Sequence, residues 1–152
     1  MDSATLYLKE WIIQLIRNRD VVARKLVAIE DDPSFDLKVI YKDKEQYICV
    51  KPLLADMEMI LSKMSPDKHY AIVTANTLGN FNLLLQFWDK MVAFRFLCLY
   101  FVNPFSNTDK KWIIYPYTHS QICDEESLKV GLRSIFDVVE PLTESDVKTK
   151  FA

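Results

Sequence analysis

A short helical segment between two apolar strands constrains the fold of this chain more than any other feature. The sequence predicts a strand that ends at Val50, an amphipathic helix over 54–64 and a buried strand over 70–74. A helix that links two strands of one sheet is a crossover, so we expect these strands to run parallel. Polar turns at 42–45 and 103–109 instead predict hairpins, whose strands run antiparallel. The sequence therefore predicts a mixed sheet.

The remaining segments complete the predicted element order α-β-β-β-α-β-α-β-β-α. Helices are predicted over 4–18, 54–64, 81–94 and 125–139, and strands over 21–29, 36–41, 46–50, 70–74, 96–102 and 112–117. We therefore predict an α/β fold (α+β-like), with a mixed central β-sheet flanked by helices on both faces. A single domain is expected over 1–142, followed by a flexible C-terminal tail over 143–152.

Composition excludes several classes of function. The 152 residues are half hydrophobic, and 19 basic against 21 acidic residues give a net charge of -2. This balance argues against a broadly basic nucleic-acid coat. With only two glycines in the chain, glycine-rich phosphate loops are excluded. Three widely spaced cysteines fit neither a disulfide framework nor a zinc site. Because neither a secretory signal nor a bilayer-length apolar segment is visible, we expect a cytoplasmic protein that does not enter a membrane.

The segment 33–52 carries the residues that are most informative about chemistry. Asp36 opens one predicted strand, and Lys51 closes the antiparallel strand that follows. A hairpin of this length brings those two ends together. Cys49 shares a face of its strand with Lys51, because alternate residues of a strand point the same way. A carboxylate at position 49 would complete a divalent-metal site with Asp36, and the lysine would polarise an attacking water.

These residues resemble the PD-(D/E)XK nuclease superfamily, which has the restriction-endonuclease-like fold. In that family a hairpin carries Asp on one strand and (Asp/Glu)-x-Lys on the next. Asp36 matches the first acid and Lys51 matches the lysine, whereas Cys49 stands where the family has its second acid. The resemblance covers roughly residues 6–74. It implies the order helix, three antiparallel strands, helix and strand for the core.

The resemblance also implies roles for individual residues. Asp36 and the backbone carbonyl of Val50 would bind Mg²⁺, Lys51 would position water, and Glu10 would join the catalytic set, as an acid on the first helix does in some members. A thiol at Cys49 is a poor replacement for a carboxylate, since Mg²⁺ prefers oxygen ligands. The candidates for the missing charge are Glu10, Asp56 and Glu58.

Three functional hypotheses follow. The leading one is a nuclease-fold protein with an incomplete metal site, acting without a cofactor as a non-catalytic nucleic-acid-binding or assembly subunit. The second is an active Mg²⁺-dependent DNA or RNA nuclease that uses Asp36 and Lys51 with a displaced acid. The third is a protein-interaction domain, as a homodimer or with a protein partner, that has no nucleic-acid role.

Two groups of residues are predicted to contact DNA or RNA. A dense basic cluster lies at the end of the first helix, and amide side chains lie at the entrance of the third, where backbone N–H groups attract anions. The predicted contact residues are Arg17, Arg19, Arg24, Lys25, Asn76 and Asn80. The alternatives are a solvated helix C-terminus for the cations and helix capping for the amide-rich segment.

Overall fold

The computed structural model describes residues 2–151, which form an α/β protein with a six-stranded mixed sheet and seven helices. The strands are β1 (Leu26–Asp31), β2 (Leu37–Tyr41), β3 (Glu45–Val50), β4 (His69–Ala75), β5 (Phe96–Val102) and β6 (Lys111–Ile114). The helices are α1 (Ser3–Ala23), α2 (Met57–Ser62), α3 (Leu78–Gln86), α4 (Trp88–Met91), α5 (Pro116–Ile122), α6 (Glu125–Val138) and α7 (Glu144–Lys150). Within 2–151, no helix is both long enough and apolar enough to span a bilayer.

The six strands lie in the sheet in their order along the chain, from β1 to β6. The pairs β1–β2, β2–β3 and β5–β6 are antiparallel, whereas β3–β4 and β4–β5 are parallel. The predicted mixed sheet is thus confirmed. The parallel pairs are those whose connections contain α2 and α3–α4, and this agrees with the crossover argument.

Helices cover both faces of the sheet because its inner strands are apolar on both sides. Alternate residues of β3 face opposite ways: Val50 lies in a core with Leu8 of α1 and Val147 of α7. Cys49 lies in the other core, which includes residues of α2, α3, α4 and α6. Ile72 of β4 belongs to the second core and is fully buried. The prediction of helices on both faces is confirmed.

The end of α1 differs from the prediction. The strand expected over 21–29 begins only at Leu26, because α1 continues to Ala23. The Asp20 carboxylate ends the helix by accepting the backbone N–H groups of Lys25 (2.8 Å) and Leu26 (2.9 Å). The valines before this turn resemble a strand in composition, but their side chains are exposed on the last helical turn.

The sequence predicts a flexible tail over 143–152, whereas the structure forms α7 over Glu144–Lys150. A capping box starts this helix, with reciprocal hydrogen bonds between Thr143 and Asp146. The side chains of Val147 and Phe151 are buried, and the Phe151 ring stacks on Tyr7 of α1 with centroids 5.2 Å apart. These contacts bind the segment to the core on the α1 face. Met1 and Ala152 lie outside the described residues.

Candidate functional site

Asp36 lies immediately before β2 and is held against the end of β3. Its backbone N–H donates to the carbonyl of Ile48 at 3.0 Å. One oxygen of its carboxylate, Oδ2, accepts the backbone N–H of Val50 at 2.6 Å. A charge-assisted bond to a backbone N–H is a strong one, so this contact fixes the Asp36 side chain beside the last residues of β3.

The Asp36 side chain lines a pocket of about 210 Å³ between the β2–β3 hairpin and α2. The pocket is lined by Pro33, Ser34, Phe35, Asp36, Cys49, Lys51, Asp56, Met59, Ile60 and Lys63. The structure thus brings Asp36, Cys49 and Lys51 together, as the hairpin length indicates. The two residues that flank α2 add the carboxylate of Asp56 and the ammonium group of Lys63. The Lys63 ammonium group donates to the carbonyl of Ser34 at 3.3 Å.

Cys49 is a buried and uncharged group in this pocket. Only 5 % of its surface is exposed. Burial, and then the negative charge of Asp36, raise the pKa of the Cys49 thiol to about 12, against the opposing effect of Lys51 and Lys63. At neutral pH this residue is therefore a protonated thiol, which supplies no negative charge to a cation.

The residues of this pocket do not fit a divalent cation. Asp36 already uses one carboxylate oxygen for the Val50 N–H, and the thiol of Cys49 is neutral. The two carboxylates of the pocket are balanced by two lysine ammonium groups. Within residues 2–151, no group of three or more His, Cys, Asp and Glu side chains is arranged to hold a metal ion. As the side chains stand, they do not supply the set of oxygen ligands that Mg²⁺ prefers, and Mg²⁺ binding here stays a prediction.

Two of the acids considered for the missing charge lie away from the pocket. Glu10 is an exposed residue of α1, which packs on the face of the sheet opposite to Cys49. Glu58 is exposed on α2 and pairs with Lys90 at 2.8 Å. Neither side chain lines the pocket, whereas Asp56 does. The structure thus leaves Asp56 as the acid that stands with Asp36.

The basic cluster of α1 lies at the other end of the sheet from this pocket. Asp36 precedes the start of β2, whereas Lys25 accepts a backbone hydrogen bond from Lys42, just beyond the end of β2 (2.9 Å). The five residues of β2 separate the two ends by about 17 Å. Arg19 is exposed, and its guanidinium donates to the hydroxyl of Tyr100 at 2.8 Å. The other three cations of the cluster, Arg17, Arg24 and Lys25, are exposed as well, and the contact of all four with nucleic acid stays a prediction.

The two predicted asparagine contacts are buried in the interior. The Asn76 amide accepts the indole N–H of Trp112 (2.8 Å) and donates to the carbonyl of Val139 (3.0 Å). The Asn80 amide donates to the carbonyl of Pro52 at 2.9 Å. Both amides are fully used in linking segments of the chain, so the structure offers neither of them to a phosphate. Thr77 caps α3 by accepting the Asn80 backbone N–H (3.1 Å), in agreement with the capping alternative.

One charged residue of the pocket, Lys63, is not among the site residues predicted from the sequence. Its position follows from helical spacing, because residues 56, 59, 60 and 63 recur at intervals of three and four and so share one face of α2. From the sequence, Asp56 is predicted only as an acid that could replace the missing one. Extending the same spacing from Asp56 would have found Lys63.

Comparisons with known proteins assign no family to this chain. The chain matches no protein-family model, no curated protein and no solved structure.

Proposed function

We propose that this chain is a non-catalytic relative of the PD-(D/E)XK nucleases, a nuclease-fold protein with an incomplete metal site that serves as a nucleic-acid-binding or assembly subunit. One observation carries the proposal: the neutral, buried thiol of Cys49 lies beside Asp36, at the position where the resemblance expects the second acid. The lysine of the motif, Lys51, lines the same pocket.

The order and pairing of the first elements support this proposal. Helix α1 is followed by the antiparallel strands β1, β2 and β3, and α2 then leads to β4, which is parallel to β3. This is the core order that the resemblance implies. The match extends to the position of the motif residues, since Asp36 precedes β2 and Lys51 follows β3.

The charges of the pocket support the non-catalytic form of the proposal. An acid at position 49 would be a second fixed negative charge next to Asp36. With cysteine there, the two carboxylates of Asp36 and Asp56 are offset by the ammonium groups of Lys51 and Lys63. A site with no net negative charge has little attraction for Mg²⁺, which keeps its own waters unless carboxylates replace them.

One observation favours an active nuclease as a second candidate. Asp56 precedes α2, lines the pocket and makes no side-chain hydrogen bond to the start of its helix. A change in the Asp56 rotamer would bring its carboxylate toward Asp36, and an active site would need this displaced acid. This candidate predicts metal-dependent cleavage by the wild-type chain that is lost in Asp36→Ala and in Lys51→Ala.

The test combines a cleavage assay with a restoration of the acid. Wild-type protein is incubated with Mg²⁺ or Mn²⁺ and single-stranded DNA, duplex DNA or RNA, and Mn²⁺ binding is measured by electron paramagnetic resonance. We expect no cleavage and weak Mn²⁺ binding. Cys49→Asp should bind Mn²⁺ at least tenfold more tightly than Cys49→Asn, because an asparagine side chain has nearly the same shape as an aspartate but carries no charge.

A control and a folding check make the result decisive. Adding Asp36→Asn to Cys49→Asp should abolish the gain in Mn²⁺ affinity, because the two acids act as one site. Mn²⁺ should also raise the melting temperature of folded Cys49→Asp but not that of Cys49→Asn. Wild-type cleavage that disappears in Asp36→Ala would overturn the non-catalytic assignment. Equal Mn²⁺ affinities for folded Cys49→Asp and Cys49→Asn would overturn the relationship to the nucleases.

A further inference from the structure

A second pocket lies at the opposite end of the sheet from Asp36. It has a volume of about 370 Å³ and is lined by Lys44, Gln46, His69, Arg95, Phe96, Cys98, Tyr115, Tyr117 and Thr118. The starts of β3, β4 and β5 form it together with the segment after β6. Four distant parts of the chain thus meet in one concave site, and the volume lies within the range of small-molecule pockets.

The charged groups that line this second pocket are all basic. Lys44 and Arg95 line it together with His69, and no carboxylate is among the lining side chains. Within residues 2–151, neither Lys44 nor Arg95 belongs to an ion pair. Burial and the charge of Lys44 lower the pKa of His69, although Asp43 opposes them. The pocket therefore presents two unpaired cations, and these favour the binding of an anion.

Aromatic rings accompany these cations. The Phe96 ring stacks on His69 with centroids 4.4 Å apart, and the Arg95 guanidinium lies over both Phe96 (5.6 Å) and Tyr117 (5.8 Å). Tyr115 is 44 % exposed and Phe96 is 38 % exposed. Exposed aromatic rings interleaved with cations are the surface on which bases stack and phosphates pair.

We propose that this second pocket binds a nucleoside phosphate, with the base stacked on the aromatic side chains and the phosphate paired with Arg95 and Lys44. A free mononucleotide and one nucleotide of a single strand share this chemistry. The inference goes beyond the incomplete metal site and does not depend on it. The two sites lie at opposite ends of the sheet, and this one needs no divalent cation.

The test measures binding in the absence of divalent metal. Uridine monophosphate and inorganic phosphate are titrated by calorimetry, and fluorescein-labelled oligo(dT) and oligo(rU) by fluorescence anisotropy. We expect the wild type to bind uridine monophosphate or the oligonucleotides. The double variant Lys44→Gln/Arg95→Gln should lose at least tenfold in affinity, and Tyr117→Ala should lose about tenfold, as for the loss of one stacked base.

A matched variant removes the same charge elsewhere. Lys129→Gln/Lys148→Gln neutralises two exposed lysines of α6 and α7, and it should bind as the wild type does. Equal affinities for the mononucleotide and the oligonucleotides would identify a free nucleotide as the ligand. Tighter binding of the oligonucleotides would identify a single strand as the ligand. Both results support the proposal. It would be overturned if no probe bound, if phosphate alone bound as tightly as uridine monophosphate, or if both double variants were equally weakened. None of these results bears on Mn²⁺ binding at position 49, so the two proposals fail separately.

Discussion

The buried amide of Asn80 is predicted to be a major determinant of stability next to the Asp36 pocket. Its Oδ1 accepts the backbone N–H of Leu54, and its Nδ2 donates to the carbonyls of Pro52 and Ala75, each at 2.9 Å. These bonds join the turn after Lys51 to the end of β4. Removing the amide should therefore loosen the turn that bounds the Asp36 pocket.

The magnitude follows from which groups lose their last partner in Asn80→Ala. The carbonyl of Pro52 still accepts the N–H of Ala75 (3.2 Å), and the carbonyl of Ala75 still accepts that of Thr77 (2.9 Å). The buried N–H of Leu54 is left without its Asn80 acceptor, at a cost of about 1–3 kcal/mol. With the small cavity included, we expect a loss of roughly 2–4 kcal/mol in the free energy of unfolding.

Urea unfolding followed by circular dichroism measures this loss, and the melting temperature should fall by on the order of 10 °C. Asn82→Ala is the matched control, since Asn82 is exposed on the same helix. It should change the free energy of unfolding by no more than about 0.5 kcal/mol. If Asn80→Ala cost no more than Asn82→Ala, the reasoning from buried hydrogen bonds would be refuted.

Two further predictions test the core. At pH 8, iodoacetamide should label the exposed Cys123 in the folded protein while Cys49 and Cys98 stay unmodified, because burial raises the pKa of both buried thiols to about 12. Mass spectrometry measures the labelling, and labelling of Cys49 at the rate of Cys123 would contradict this prediction. Phe151→Ala should lower the free energy of unfolding by about 3–5 kcal/mol in urea, because the ring is fully buried against Tyr7, and a loss below about 1 kcal/mol would mean that α7 is not docked.

Much of the framework could be predicted from local patterns. The predicted last helix over 125–139 is α6 (Glu125–Val138), because its apolar spacing and its cap, Asp124, are both local signals. The parallel arrangement of β3 and β4 follows from the helix that connects them. The proximity of Asp36 and Lys51 follows from the length of one hairpin. Each of these inferences used residues that are close in sequence.

Other features depend on residues that are far apart in sequence. Asn76 and Asn80 resemble surface caps in the sequence, yet long-range packing buries their amides between α3, β4 and the segments that follow β3 and α6. The helix α7 has a short and weakly apolar pattern, so only its docking through Val147 and Phe151 makes it part of the core. A local pattern carries no information about such contacts.

The sequence by itself determined the mixed sheet, two of its hairpins and the position of cysteine between Asp36 and Lys51. Periodicity and turn chemistry act over a few residues, so they can be seen along the chain. Only the tertiary structure decided that Cys49 is a neutral thiol and that cations and aromatic rings from four segments converge at the opposite end of the sheet. Protonation and pocket chemistry depend on burial and on neighbouring charges, and these exist only once distant segments have packed together.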